Sequence, residues 1–218
     1  MIISRQKPIE EILSSLEEYD KVFLVGCGEC ATACKSGGQP ELDKMKQVLI
    51  SAGKDVVGMC LPSAPCLAAP IKTELAKNLG ALRNAEVVLV LACGLGAQSV
   101  KSNNRFEQTV IPANNTIFGA VMDGQGNFYE KCSMCAECML ARTGGICPYT
   151  LCPKGLLNGP CGGMNRGKCE VDGERDCAWV LIYREMEKHG ALDKMKEINQ
   201  GKDYSKSSKP HKLLIKEI

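Results

Sequence analysis

The sequence predicts an α/β fold, a small open parallel sheet of flavodoxin or Rossmann type, followed by a cysteine-rich, loop-dominated segment and a C-terminal helix. Three observations lead there. Short apolar runs alternate with helix-period segments through residues 1–125. Gly, Pro and Cys then punctuate residues 126–178 too densely for long elements. An apolar stripe at helical spacing returns in residues 179–218 before a polar, Lys-rich end.

Each element has a local reason. Ile9, Ile12, Leu13 and Leu16 share one face of a first helix. KVFLVG (21–26), DVVGM (55–59), AEVVLVLA (85–92) and NTIFGAVM (115–122) are continuous apolar runs, as strands covered on both faces require. Between them, residues 40–53 open with Pro40, close at Gly53 and place Leu42, Met45, Val48 and Leu49 on one face. Residues 69–85 and 96–104 supply two more helices. Residues 177–198 read as the C-terminal helix, with Trp179, Ile182, Tyr183 and Met186 as its stripe. The rest of the chain reads as a solvated tail.

Composition narrows the function. Apolar residues make up 44% of the 218 residues, but aromatics only 5%, so the core must be aliphatic. A net charge of +2 argues against nucleic acid as the main partner. No run approaches the ~20 apolar residues of a membrane span, and the charged N-terminal stretch is no secretory signal. A cytoplasmic location follows as an expectation. There thiols stay reduced, so 14 cysteines point to metal rather than to cross-links.

Eight of those cysteines fall between residues 131 and 177, with no histidine. Cys132-x2-Cys135-x2-Cys138 is the informative spacing. Three thiolates at that interval wrap one corner of an iron–sulfur cubane, and a later Cys-Pro completes the pattern in bacterial ferredoxin runs. Cys147-Pro148 and Cys152-Pro153 both offer such an ending, at wider spacing. Cys161, Cys169 and Cys177 follow. Eight thiolates suffice for two four-cysteine sites. Two all-thiolate zinc sites would use the same residues, but the triple spacing favours [4Fe–4S].

The first region repeats the theme. Cys27-x2-Cys30-x3-Cys34 follows the first strand, and Cys93 follows the third. If the strand order is 2-1-3-4, these two strands are neighbours and their carboxyl ends form the ligand crevice of an open α/β sheet. Cys27, Cys30, Cys34 and Cys93 then form one four-thiolate site. Cys60 and Cys66 could replace one of these ligands, but read first as free thiols. Without Cys93, a three-thiolate cluster with an open iron would suit a stand-alone enzyme. GCGECATACKSGG is not G-x-G-x-x-G, so a nucleotide is the weaker reading. His189 and His211 read as surface residues. No catalytic residues are assigned.

ARTGGICPYTLCPKGLLNGPCGG (141–163), with the flanking cysteine pattern, resembles the methylenetetrahydrofolate reductase C-terminal domain family. This is the small cysteine-rich subunit that accompanies a flavin-bearing reductase in acetogens and other anaerobes. The resemblance implies a heteromeric complex in one-carbon metabolism. Its partner is an FMN-containing large subunit that reduces methylenetetrahydrofolate to methyltetrahydrofolate, with room for further electron-transfer subunits. It implies a non-catalytic iron–sulfur subunit with two or three [4Fe–4S] clusters that passes electrons to that flavin. Some members are described with zinc, which keeps a structural zinc role as the alternative. The family's cysteines fall on Cys132, Cys135, Cys138, Cys147, Cys152, Cys161, Cys169 and Cys177, and in the first region on Cys27, Cys30, Cys34 and Cys93.

Overall fold

The computed structural model describes residues 1–214, so the last four residues of the expected tail lie outside the described residues. The chain divides into two compact units, Met1–Phe118 and the residues from Gly119 onward. In the first unit the order is β1 (Ile2–Gln6), α1 (Ile9–Ser15), β2 (Lys21–Val25), α2 (Cys30–Ala33), α3 (Gln39–Ser51), β3 (Asp55–Cys60), α4 (Ala68–Lys77), α5 (Leu79–Asn84), β4 (Val87–Val90), α6 (Gly94–Asn103) and β5 (Thr109–Pro112). The strand β6 (Asn114–Met122) carries the chain across the boundary.

Four parallel strands lie in the order β3-β2-β4-β5, the 2-1-3-4 order expected. The alternation of side chains along β2 and β4 explains the layers. Phe23, Val25, Val88 and Val90 point to one face and pack with Ile71 and Leu75 of α4, Leu82 of α5 and Val100 of α6. Val22, Leu24, Val87 and Leu89 point to the other, against Ile12 of α1 and Leu42, Met45 and Leu49 of α3. Both central strands are thus covered on both sides, as their unbroken apolar sequences require. Gly58 on β3 makes room for Phe23, since a Cβ there would stand 2.8 Å from the Phe23 ring.

Two expectations for this unit are corrected. The fourth parallel strand is β5, not residues 115–122. TVIP is short and ends in a proline, so it does not stand out in sequence. Residues 115–122 fall in β6, outside that sheet, where Ile117, Val121 and Met122 are exposed. The expected helix over 69–85 breaks at Asn78, whose side-chain amide donates to the Glu74 carbonyl at 2.9 Å. The strand β1 was not anticipated.

In the second unit, β7 (Phe128–Glu130) pairs antiparallel with the end of β6. A single 3-10 turn (Leu140–Arg142), α7 (Pro148–Leu151) and a two-stranded hairpin of β8 (Lys168–Cys169) and β9 (Asp172–Asp176) follow. The last helix, α8 (Ala178–Lys188), carries the small core: Trp179, Ile182 and Met186 pack with Cys177, Ile146 and Leu156. Tyr183 does not join that stripe. It is exposed and donates to the Glu187 carboxylate at 3.2 Å. The helix also stops ten residues before the expected end, because Gly190 takes a left-handed φ of 62° just beyond it. Two further 3-10 turns, Leu192–Lys196 and Tyr204–Ser207, complete the unit. Among the described residues no helix is long and apolar enough to cross a membrane.

Candidate functional site

In the first unit, three loops meet at the carboxyl ends of the central strands. Cys27 directly follows β2 and Cys93 is the N-cap of α6, just past β4. The Cys27 N–H donates to the Gly37 carbonyl at 2.9 Å, and Thr32 Oγ1 donates to the Cys27 carbonyl at 2.7 Å. These bonds turn the chain sharply back, so that Cys30 opens α2 close to Cys27. The Ile2 N–H donates to Cys30 Sγ at 3.5 Å, and Cys34 Sγ lies 3.9 Å from the Ile2 carbonyl, on the β1 side. Burial pushes the Cys34 thiol up, a hydrogen bond with the Ser4 backbone opposes this, and Cys30 and Cys27 raise it further. Cys60 is different in kind. Burial in the core, with Glu74 nearby, pushes it up to about 12, so it stays a neutral thiol and packs as a small hydrophobe.

In the second unit, Cys132, Cys135, Cys138 and Cys147 line one cavity of about 190 Å³, together with Met134, Leu140, Tyr149 and Lys202. Met134 and Ala136 adopt left-handed φ values of 50° and 59°. Each such residue costs on the order of 1–3 kcal/mol. The loop they shape carries Cys132, Cys135 and Cys138 to the lining of one cavity. The Met134 N–H donates to Cys132 Sγ at 3.4 Å. Cys147 is the N-cap of α7, with Pro148 at its first position. The Ser133 and Thr150 hydroxyls meet at 2.9 Å, and Cys147 Sγ lies 3.4 Å from Thr150 Oγ1, which ties the fourth thiol to the first three. Burial pushes the Cys135 thiol up, but the Glu137 backbone and the Lys202 ammonium outweigh it. The net shift is downward, toward the thiolate.

The other four cysteines form two neighbourhoods. Cys152 and Cys177 both pack in the Trp179 core. The Cys177 N–H donates to the Gly167 carbonyl at 2.8 Å. Cys161 Sγ lies 3.8 Å from Lys154 Nζ and 3.8 Å from Glu170 Oε1, and Cys169 directly precedes Glu170. Lys154 and Glu170 form an ion pair over this thiol. Among the described residues, no three His, Cys, Asp or Glu side chains converge closely enough to hold a single metal ion. The donor sets are all sulfur, which suits soft metals and iron–sulfur groups.

With this geometry in hand, the cysteine-bearing segment can be compared with known families. Residues 111–205 match the methylene-tetrahydrofolate reductase C-terminal family. The resemblance read at residues 141–163 holds over that segment, which contains all eight cysteines of the second unit and none of the first. No curated protein and no solved structure matches the chain.

Sequence reasoning missed two residues that line or brace the Cys135 cavity. Lys202 reaches the Cys135 cavity from the tail, and its ammonium lies 5.3 Å from the Tyr149 ring centroid. Glu137 fixes that tail through the Asp203 N–H and the Lys206 ammonium, at 3.0 and 2.8 Å. A Lys-rich terminus reads as solvated unless its carboxylate partner is known, and that partner lies more than 60 residues earlier.

Proposed function

We propose that this chain is an iron–sulfur electron-transfer subunit of a methylenetetrahydrofolate reductase complex, delivering electrons to the flavin of a partner subunit. The observation that carries the reading is the single cavity lined by Cys132, Cys135, Cys138 and Cys147. Three thiols at C-x2-C-x2-C spacing are the ferredoxin-type donor pattern for three corners of a cubane, and Cys147, at wider spacing than in ferredoxins, lines the same cavity and can supply the fourth. The family match over residues 111–205 supports the reductase context.

When bound, such a cluster supplies one-electron storage. The chain's own residues do the rest. Met134, Leu140 and Tyr149 wall the cavity with apolar surface, and Lys202 sets a positive charge beside Cys135. Cys132 and Cys138 remain exposed, which keeps this edge open to a redox partner. Cys27, Cys30 and Cys93, with Cys34 as the fourth thiol from the sequence, make a second set at the sheet's carboxyl edge. Cys152 and Cys177 in the Trp179 core, with Cys161 and Cys169 beside the Lys154–Glu170 pair, are the thiols available for a third. Structural zinc is the second reading and applies best to this last set. Cys169 and Cys177 flank the β8–β9 hairpin, and Cys152 and Cys177 are built into the Trp179 core.

Anaerobic purification followed by iron, acid-labile sulfide and zinc analysis tests the reading. Two or three four-iron equivalents per chain and an EPR signal on dithionite reduction are expected. A colourless protein with stoichiometric zinc and no sulfide would replace it with the structural role.

A further inference from the structure

The loop between β3 and α4 carries an exposed thiol, Cys66, that has no part in the core. Backbone contacts press this loop against both cysteine-bearing neighbours. On one side the Gly28 N–H donates to the Pro62 carbonyl at 2.9 Å. A Cβ at Gly28 would stand 3.2 Å from Ser63 Cα, so only glycine lets the two loops approach this closely. On the other side, a Cβ at Gly96, near the start of α6, would stand 3.2 Å from Pro65 Cγ. The Cys66 loop is therefore wedged between the turn that carries Cys27 and Cys30 and the helix start that carries Cys93. Cys34 sits at the end of α2 away from the Gly28 contact, and its Sγ, like that of Cys30, lies near Ile2 of β1.

Electrostatics agrees with this placement. Burial pushes the Cys66 thiol up, and Cys93 is the next influence, followed at longer range by Cys27 and Cys30. The loop that carries Cys66 touches both halves of the crevice, whereas Cys34 lies at the end of α2.

We propose that the metal group of the first unit is held by Cys27, Cys30, Cys66 and Cys93, with Cys66 replacing Cys34 as the fourth thiolate. This rests on the reading that the first unit binds a metal group through its thiols. Three consecutive strand-end loops then each contribute at least one ligand, around the point where the strand order reverses. The bound chemistry is an all-sulfur site for iron and sulfide. Each thiol gives up its proton to solvent on ligation.

The test compares Cys66→Ser with Cys34→Ser in the full chain, purified anaerobically. The wild-type protein sets the total iron and sulfide. Cys66→Ser is expected to lose one cluster's worth of both, together with one EPR component, while Cys34→Ser retains them. Full metal content in Cys66→Ser, or its loss in Cys34→Ser alone, overturns the assignment. Iodoacetamide labelling of the wild-type holoprotein gives a readout independent of any variant's folding. Cys66, although on an exposed loop, is expected to be protected until the metal is removed, and rapid labelling of the loaded protein overturns the proposal. The wider reading fails separately. If the wild type holds zinc and no sulfide, iron–sulfur is wrong, yet loss of one zinc in Cys66→Ser but not in Cys34→Ser still establishes Cys66 as the ligand. A first unit whose thiols all label freely in the untreated protein overturns both.

Discussion

The backbone N–H of Asp203 donates to Glu137 Oε2 at 3.0 Å, which pins the C-terminal tail to the turn between Cys135 and Cys138. Lys202 is thereby delivered to the thiol cavity, where it also donates to the Glu137 carbonyl. A charge brought in by the tail is positioned as firmly as one on a helix, because three separate bonds to a single residue hold it.

Lys202→Gln is expected to lower the reduction potential of a cluster at Cys132, Cys135, Cys138 and Cys147. Removing a cation disfavours the added electron. A unit charge a few ångströms away in water-facing surroundings is worth about 1 kcal/mol, equivalent to ~40 mV for one electron. Arg142→Gln should shift the potential less, since Arg142 does not line the cavity that the four thiols share. Redox titration followed by EPR measures both. Equal shifts in the two variants would refute the special placement of Lys202.

Glu86 gives a pH dependence to the first unit. Its carboxylate accepts from the Asp20 N–H at 2.7 Å and the Lys21 N–H at 3.2 Å, at the entry to β2. Those two bonds hold its pKa below the ordinary value of 4.5. A depressed folded pKa means that the stabilisation is complete above the unfolded value and is lost as pH falls through the folded one. Glu86→Gln should therefore flatten the decline in melting temperature below pH ~4.5, while changing it little at pH 7 beyond the loss of a charge-assisted bond. Calorimetry across that range would show an unaltered acid slope if the bonds were unimportant.

Gly37 is the tightest backbone approach near the thiols of the first unit. An added Cβ would lie 1.8 Å from the Leu91 carbonyl oxygen. The same residue accepts the Cys27 N–H. Gly37→Ala must push α2 and its flanking turn away from β4, which costs about 3 kcal/mol or more by the scale of core overpacking. The expected result is a lower denaturation midpoint together with depleted metal in the first unit only. Wild-type stability in this variant would mean that the loop yields freely.

The parts of this fold legible in the sequence are those set by near neighbours along the chain. The unbroken apolar runs at β2 and β4 announced central strands, and the helix-period segments between them announced parallel crossovers. The misreadings arose where long-range packing decides. TVIP becomes a sheet strand only because β4 offers it a parallel edge, whereas NTIFGAVM has the better composition and lies outside that sheet. The site follows the same division. The spacing of Cys132, Cys135 and Cys138 was informative because one loop brings them together. The placement of Cys66 depends on which strands are adjacent, and that of Lys202 on a bond to the Glu137 carbonyl 65 residues away.

Ile182 tests how far the small core of the second unit supports its thiols. The side chain is fully buried among Trp179, Met186 and Cys177, with Cys152 at the margin. Removing three carbons there costs about 2–5 kcal/mol, the transfer term plus a cavity that this short helix can only partly close. Trp179 is the chain's single tryptophan and belongs to the same cluster, so its fluorescence reports this unit specifically. In urea, with m near 1–3 kcal/mol/M, Ile182→Ala should shift the fluorescence midpoint down by about 1–2 M. Cys152 and Cys177 should become labelled by iodoacetamide at lower denaturant, while Cys132 and Cys138 in the neighbouring loop keep their wild-type rates. Simultaneous exposure of all four would mean that the loop cavity and the helix core unfold as one body.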